Sequence, residues 1–348
     1  MIAFVFIFTL CGLVNGASVL DRFHTWASVL DRFHTWADKF KIHFNDEADK
    51  MQIYAKWVAN DKIIESTNAQ NLTYALGHNQ FSGMDLTDFK KYLGYSSGKF
   101  TENLRGLKNV DESLSEPIAS LPSSINWVDL GAVTPVKDQG QCGSCWSFST
   151  TGSLEGAYFV TYGELLSFSE QQLVDCDNWK NGGRDHGCNG GLMDNAFNWI
   201  HSNGGLCSES AYPYVSGTTE TAGTCTTTCS VNSKSKIQSY VDVTASSDSA
   251  MMAALVEQPV SVAIEADQVA FQLYKSGVFT GTCGTNLDHG VLVVGYGEES
   301  GSDYYRVKNS WGTSWGLDGY ILLGRGSSYN SGAGQCGVLL EASYPLLV

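Results

Sequence analysis

Ten cysteines mark a chain of 348 residues, and their placement divides it. Cys11 stands alone near the start. The other nine all fall between Cys142 and Cys336. Such a spread predicts a disulfide-tied unit in the second part only, in a chain routed through an oxidising compartment. Nine is odd, so one thiol is left over. An odd cysteine in an exported protein is a candidate reactive thiol.

Export is read from the first residues. MIAFVFIFTLCGLVNG, residues 1–16, is an apolar run ending in small residues. It is shorter than the roughly 20 apolar residues a spanning helix needs. Val14-Asn15-Gly16 fits a signal-peptidase site, so residues 1–16 read as a signal peptide that takes Cys11 with it. No later run is long and apolar enough to span a bilayer. Charge divides the chain at the same place as cysteine. Residues 1–120 hold 12 basic and 14 acidic residues, whereas residues 121–348 hold 9 and 22. Nucleic acid needs basic patches, so this acidic balance argues against it as a partner. It suits an acidic compartment, where protonation relieves the repulsion among carboxylates.

ASVLDRFHTW occurs twice in tandem, at 17–26 and 27–36. Ten residues at about 100° each leave the two copies about 80° out of phase on a helix, so their aromatic sets cannot share one face. The first copy reads as surplus. Residues 46–70 read as a long helix, with Ile53, Trp57, Asn60, Ile64 and Asn68 at steps of three and four. A short helix follows near 86–92, and the polar stretch 98–120 reads as a linker. Asn71-Leu72-Thr73 is the one N-glycosylation sequon. Beyond Leu121 the pattern predicts helices over about 144–162, from Ser169, and over 192–202. PVSVAI, HGVLVVGYG, YYRVKN and GYILL then read as strands, rich in β-branched and aromatic residues and bounded by glycine. Helices first and strands after predict an α+β unit with two lobes.

QCGSCWSF, Gln141 to Phe148, sets two cysteines three positions apart. Such a pair serves as a redox couple, as half of a zinc site, or as a structural half-cystine beside a nucleophile. The redox reading wants the pair after a strand in a small βαβ unit, whereas here a glycine-rich turn enters a helix. Zinc wants further ligands, and no histidine follows Cys225 and Cys229 within reach. A nucleophile wants a base, and residues 121–348 offer only His186, His201 and His289. His201 closes a helix, where a cation is favourable against the dipole. His186 lies in a polar loop. His289 follows Asp288 and opens an apolar strand; a satisfied core histidine is the commoner fate of such a residue.

QGQCGSCWSF, GCNGG at 187–191, LDHGVLVVGYG and KNSWGTSWGLDGY closely resemble the papain-like cysteine proteases, most nearly the cathepsin L type. In that family's signature, Cys-Gly-[Ser/Ala]-Cys-[Trp/Tyr] carries the nucleophile, with His and Asn roughly 130–150 residues on. His289 lies 144 residues after Cys145, and Asn309 lies 164 after it. The resemblance covers about residues 27–348, with four motifs in order. It implies a papain-like two-lobe fold, a helical left lobe and an antiparallel, β-barrel-like right lobe, preceded by a mainly helical inhibitory prodomain. The domains would be a signal peptide at 1–16, an inhibitory propeptide with linker at 17–120, and a peptidase at 121–348.

The resemblance also implies roles. Cys145 is the nucleophile, at the N-terminus of a helix whose dipole, with a nearby imidazolium, favours thiolate. His289 carries the proton, Asn309 orients the imidazole, and Trp311 shields that contact. The Gln139 side chain and the Cys145 N–H form the oxyanion hole. Gly190, Gly191, Leu192, Met193, Ala263, Leu287, Asp288 and Glu341 bind substrate, with Glu341 at the floor of the pocket for the residue two before the cut. Disulfides are implied at Cys142–Cys188, Cys176–Cys225, Cys207–Cys229 and Cys283–Cys336. No metal or cofactor is implied. In the prosegment the family's long-helix motif falls on Asp49, Ile53, Trp57, Asn60, Ile64 and Asn68, with isoleucine in the arginine position. The next motif runs Gly77-x-Asn79-x-Phe81, with Gly83 where an aspartate is usual. The implied product is a monomeric endopeptidase of the lysosome, vacuole or exterior, glycosylated at Asn71. Its partners would be protein or peptide substrates, its own propeptide and cystatin-type inhibitors, with neither nucleic acid nor membrane among them.

Overall fold

The computed structural model describes residues 19–95, 108–110 and 120–348, with side chains from Ser28 onward except at 108–110. The leader at 1–16 and nearly all of the linker at 98–120 lie outside the described residues. The chain divides into two units, residues 1–54 and 55–348.

In the first unit residues 19–26 of the first copy and the whole of the second lie on one helix, α1 (Val19–Phe40). Phe33 of the second copy is fully buried. It packs on Trp36, Phe44 and, edge to face at 5.0 Å, Tyr54. Helix α2 (Glu47–Asn68) starts with a reciprocal cap. Asp46 accepts the Asp49 N–H, which satisfies one donor the helix start leaves free, and Asp49 accepts the N–H of the preceding Asn45.

In the second unit the rest of α2 shows what its motif residues do. Trp57 is buried and stacks on His78 at 4.4 Å. Asn60 donates to the Ser82 and Met84 carbonyls at 2.9 Å each. Asn68 holds Leu76 at both backbone groups, 3.0 and 2.9 Å, which fixes the turn into strand β1 (Tyr74–Leu76). Each asparagine satisfies backbone groups that burial would otherwise orphan. Helix α3 (Leu86–Phe89) is capped by Asp85, and Lys56 of α2 pairs with Asp85 at 3.1 Å and with Asp88.

After Leu121 the helices are α4 (Cys145–Tyr162), α5 (Glu170–Cys176) and α6 (Met193–Asn203). Ser169 accepts the Gln172 N–H, which starts α5. Helix α4 is buried from Cys145 to Tyr158, so its surroundings decide its sequence. On one side lie Phe168, Leu173, Phe197 and Ile200; on the other lies the sheet.

Among the described residues that sheet has ten strands. They are β1, β2 (Lys108–Val110), β3 (Ile125–Asn126), β4 (Ile237–Asp242), β5 (Val260–Ile264), β6 (Tyr274–Phe279), β7 (His289–Glu299), β8 (Ser302–Lys308), β9 (Tyr320–Gly324) and β10 (Ala342–Leu347). Their order is β1-β6-β9-β8-β7-β5-β10-β4-β2, with β3 paired to β7. The architecture is papain-like α+β, and among the described residues the sheet stays open. The strand path does not close, and β6/β9 and β2/β4 are parallel. Both sheet edges are covered by three-residue strands that precede Leu121, β1 at one end and β2 at the other. An exposed edge is a template for unwanted pairing, and these short strands protect both. Residues 108–110 therefore form a strand within the stretch read as linker, because the free edge of β4 supplies the hydrogen bonds.

Candidate active site

Cys145 is the first residue of α4, and its thiol is wholly buried. It is the one free cysteine among the described residues. The other eight form Cys142–Cys188, Cys176–Cys225, Cys207–Cys229 and Cys283–Cys336. Bonding of Cys142 to Cys188 leaves Cys145 without a redox partner in its own motif.

Strand β7 brings the next pieces. The Gly290 N–H points at Cys145 Sγ, 3.3 Å away. A Cβ on Gly290 would sit 3.2 Å from the Trp146 Cα, tighter than ordinary contact, so glycine eases the close approach of β7 to the start of α4. His289 is wholly buried beside it. Its Nε2 meets Asn309 Oδ1 at 2.8 Å, and its Nδ1 has no hydrogen-bond partner in the protein. Trp311 stacks on the imidazole at 4.5 Å, with Phe81, Phe89, Phe271 and Trp315 around the indole. Asn309 Oδ1 also accepts the Ser310 N–H, and Ser310 Oγ donates to Gln139 Oε1 at 2.7 Å. That contact turns the Gln139 amide nitrogen the other way, toward the Tyr92 and Cys142 carbonyls at 2.8 and 2.9 Å. Ser310 carried no signal in the sequence beyond its place in KNSWG.

Residues 92–95 run through this site. The Gly94 carbonyl accepts the Gly191 N–H at 3.0 Å, and the Tyr95 N–H donates to the Asp288 carbonyl at 3.0 Å. A Cβ on Gly94 would lie 1.9 Å from the Gly143 carbonyl oxygen. The Tyr95 ring packs in the cluster that contains Met193, Ala263 and Leu287, and its hydroxyl donates to Glu341. Leu192 is half-buried at the start of α6. Gly190 is buried, and its carbonyl accepts the His186 N–H. The structure thus gathers Gln139, Cys145, His289, Asn309 and Trp311 at one point. It sets Gly191, Met193, Ala263, Leu287, Asp288 and Glu341 around residues 94–95. His201 is elsewhere, its ring bonded to the Ile237 carbonyl, and His186 is exposed on its loop. Among the described residues no group of three or more His, Cys, Asp or Glu is placed to hold a metal ion.

Burial dominates the electrostatics. It pushes the Cys145 thiol up to about 11 and the His289 imidazole down to about 4. The covered site therefore favours neutral thiol and neutral imidazole, the reverse of the thiolate and imidazolium anticipated for an open one. Burial also lifts Asp288 to about 7 and raises Glu341 above the usual carboxylate range, although part of Glu341 stays exposed.

A thiol beside an imidazole steadied by a carboxamide, under a stretch of the same chain, defines a class: a thiol peptidase in its proform. Comparison with known proteins agrees. Residues 121–346 match the papain family cysteine proteases, and residues 33–89 match the cathepsin propeptide inhibitor domain. The chain belongs to the papain family of cysteine proteases. It is 45% identical over 304 residues to the probable cysteine protease RD21B of Arabidopsis thaliana, spanning 86% of this chain and 62% of that relative's length. Among solved structures, a recombinant stem bromelain precursor superposes with a TM-score of 0.81 at 38% identity, over 92% of this chain and 99% of that one. Digestive procathepsin L 3 of Tenebrio molitor larval midgut gives 0.78 at 35%, with the same coverage. No helix of the described residues is long and apolar enough to cross a membrane.

Proposed function

We propose that the chain is the acid-activated zymogen of an endopeptidase that works through an acyl-enzyme on Cys145. The observation that carries this is the alignment of Cys145 Sγ, Gly290 N–H, His289 and Asn309 within one covered cleft. Release of residues 92–95 readmits water to the thiol and imidazole. That removes the burial that holds both neutral, and the helix start then favours thiolate. The thiolate attacks the peptide carbonyl, and the C–N bond breaks as His289 gives its proton to the leaving amine. Water then hydrolyses the thioester. The Gln139 amide, bonded to the Tyr92 carbonyl in the proform, becomes free to receive the developing oxyanion together with the Cys145 N–H. Asn309 fixes the ring, and Trp311 covers that hydrogen bond.

Substrate backbone lies against Gly190–Leu192 and Asp288, where residues 94–95 lie now. The pocket of Leu192, Met193, Ala263 and Leu287 takes an apolar side chain two before the cut, and Glu341 admits arginine. The loop between Cys176 and Cys188 is too short to close the cleft, which favours cutting within chains. The leader and the exposed Asn71 sequon fit transit through the secretory pathway to a lysosome, vacuole or the exterior. Labelling of the acid-treated protein with a thiol-directed epoxide tests the reading. Modification of Cys145 alone, with loss of peptidase activity, is the expected result. Modification only after reduction would instead favour a redox protein.

A further inference from the structure

Beside the cleft, the loop between α5 and α6 buries two carboxyl groups against each other. Asp177 and Asp185 are 0% and 2% exposed. Asp177 Oδ1 accepts the Arg184 N–H at 3.1 Å. Asp185 Oδ1 accepts the Leu192 N–H at 3.0 Å and the Asn195 side-chain N–H at 2.9 Å. The remaining oxygen of each, Oδ2, has no hydrogen-bond partner in the protein; the Asp185 N–H donates to the Asp177 carbonyl at 3.1 Å, and each carboxyl is near enough to shift the other's protonation. Two ionised carboxylates so placed would repel across a buried gap with no donor between them. One proton on the pair turns both orphaned oxygens into one hydrogen bond.

We propose that Asp177 and Asp185 share one proton, and that this pair positions the substrate-binding backbone at Gly190–Leu192. Asp185 is a positioning residue: it touches no substrate, but it grips Leu192 and Asn195 at the start of α6. A Cβ on Gly191 would lie 2.8 Å from the Asp185 Cγ and 2.5 Å from the Trp146 ring, so the carboxyl and the indole form the back wall of this strand. Gly191 is the residue whose N–H holds the Gly94 carbonyl.

The groups around the pair supply no cation to replace the proton. Lys180, Arg184 and His186 of the same loop have exposed side chains. Asp175 of α5 is occupied by Gln171, Tyr212 and Gly223, and Asp194 of α6 by Ser343. From α4, Trp146 lies with Asp185 behind Gly191. Burial raises both carboxyls above the ordinary range, with Asp185 raised further by its neighbour's charge. The sign follows. A raised folded-state value means that the folded protein binds more protons than the unfolded chain, so the stabilisation is lost as pH rises through that value. The strand is then firm in acid and slackens toward neutrality.

The inference rests on the reading of Gly190–Leu192 as substrate-binding, and the experiment separates the two. Asp185→Asn keeps an acceptor for Leu192 and Asn195 and gives Asp177 a permanent N–H donor. On a peptide with leucine two before the cut, the activated wild type should show KM rising with pH as the pair loses its proton, about tenfold across that transition. In Asp185→Asn, KM should stay within about twofold, with kcat following the same pH profile in both proteins. Infrared difference spectra of the full-length chain at pH 7 should show a protonated-carboxyl band that Asp185→Asn removes. Asp177→Asn, which donates in the opposite direction, serves if Asp185→Asn fails to fold. Parallel KM profiles in variant and wild type, or no such band, would overturn the proposal. An inactive protein that shows the band would instead overturn the peptidase reading and leave the pair standing.

Discussion

The Tyr95 hydroxyl donates to a Glu341 carboxylate oxygen, closing a contact between residues 246 positions apart. The ring of Tyr95 sits among Met193, Ala263 and Leu287, so residues before Leu121 fill the pocket proposed to select substrate. A hydrogen bond to a partly exposed carboxylate contributes about 1 kcal/mol. Tyr95→Phe keeps the ring and loses the bond. Epoxide labelling of Cys145 in the intact zymogen should therefore quicken about fivefold; an unchanged rate would show that the phenol contributes nothing to latency.

Gly94 offers a sharper test. Its Cβ position lies 1.9 Å from the Gly143 oxygen and 2.5 Å from the Gly143 Cα, both backbone atoms that the Cys142–Cys188 bridge holds in place. Overpacking at such a point costs about 1–3 kcal/mol. In Gly94→Ala the segment seats poorly, and labelling of Cys145 should quicken by about 5- to 150-fold. Retained latency would mean that residues 92–95 are not the cover.

The proposed release in acid would draw on the Lys56 pairs with Asp85 and Asp88. The Asp88 backbone N–H, and then Lys56, hold the Asp85 carboxyl below its ordinary value. Such a group stabilises the fold above its unfolded value, about 3.9, and that stabilisation is lost as pH falls through the lower folded value. These side chains are a third to a half exposed, which keeps the effect small. Lys56→Met should raise the pH of half-maximal activation by about half a unit or less, measured by activity after stepped acidification. A downward shift would contradict this.

Maturation by the chain's own thiol predicts that Cys145→Ala stays near full length when held alone in acid. Activated wild type added in trans should cut it between about Ser113 and Leu121. Conversion of the isolated variant to the mature size, followed on a gel, would rule out self-processing.

Much of this was legible in the sequence, for local reasons. Helix α4 begins at Cys145 and stops at Gly163, where the chain's own punctuation put both ends. The strands after Pro259 carry their β-branched runs openly. What was not legible depends on partners far along the chain. β1 and β2 are three residues each, too short for any period, and exist because β6 and β4 offer free edges. Gly94 and Tyr95 sit where the pattern fades into linker, and their places are set by Gly143, Gly191 and Glu341. Ser310 shows its part only once Gln139 is beside it. Asp185 reads as an ordinary loop aspartate until Asp177 and the start of α6 close around it.

The pocket gives the last prediction. Its walls, Leu192, Met193, Ala263 and Leu287, are apolar and suit leucine or phenylalanine two before the cut. Glu341 is the one carboxylate that the Tyr95 hydroxyl reaches from inside it. With that segment gone, the same carboxylate can accept a guanidinium. A hydrogen bond between charged groups contributes about 1.5–3 kcal/mol, or about 10- to 150-fold in specificity. Burial in the proform raises the Glu341 carboxyl above its ordinary value, and release of Tyr95 relieves part of that burial. Preference for arginine should therefore be full near neutrality and fade as acid protonates the carboxylate. Glu341→Ala should cost most of the kcat/KM on Arg-Arg substrates and little on Phe-Arg or Leu-Arg ones, and it should flatten the pH dependence of their ratio. An equal fall on all three would show that Glu341 is not the selector.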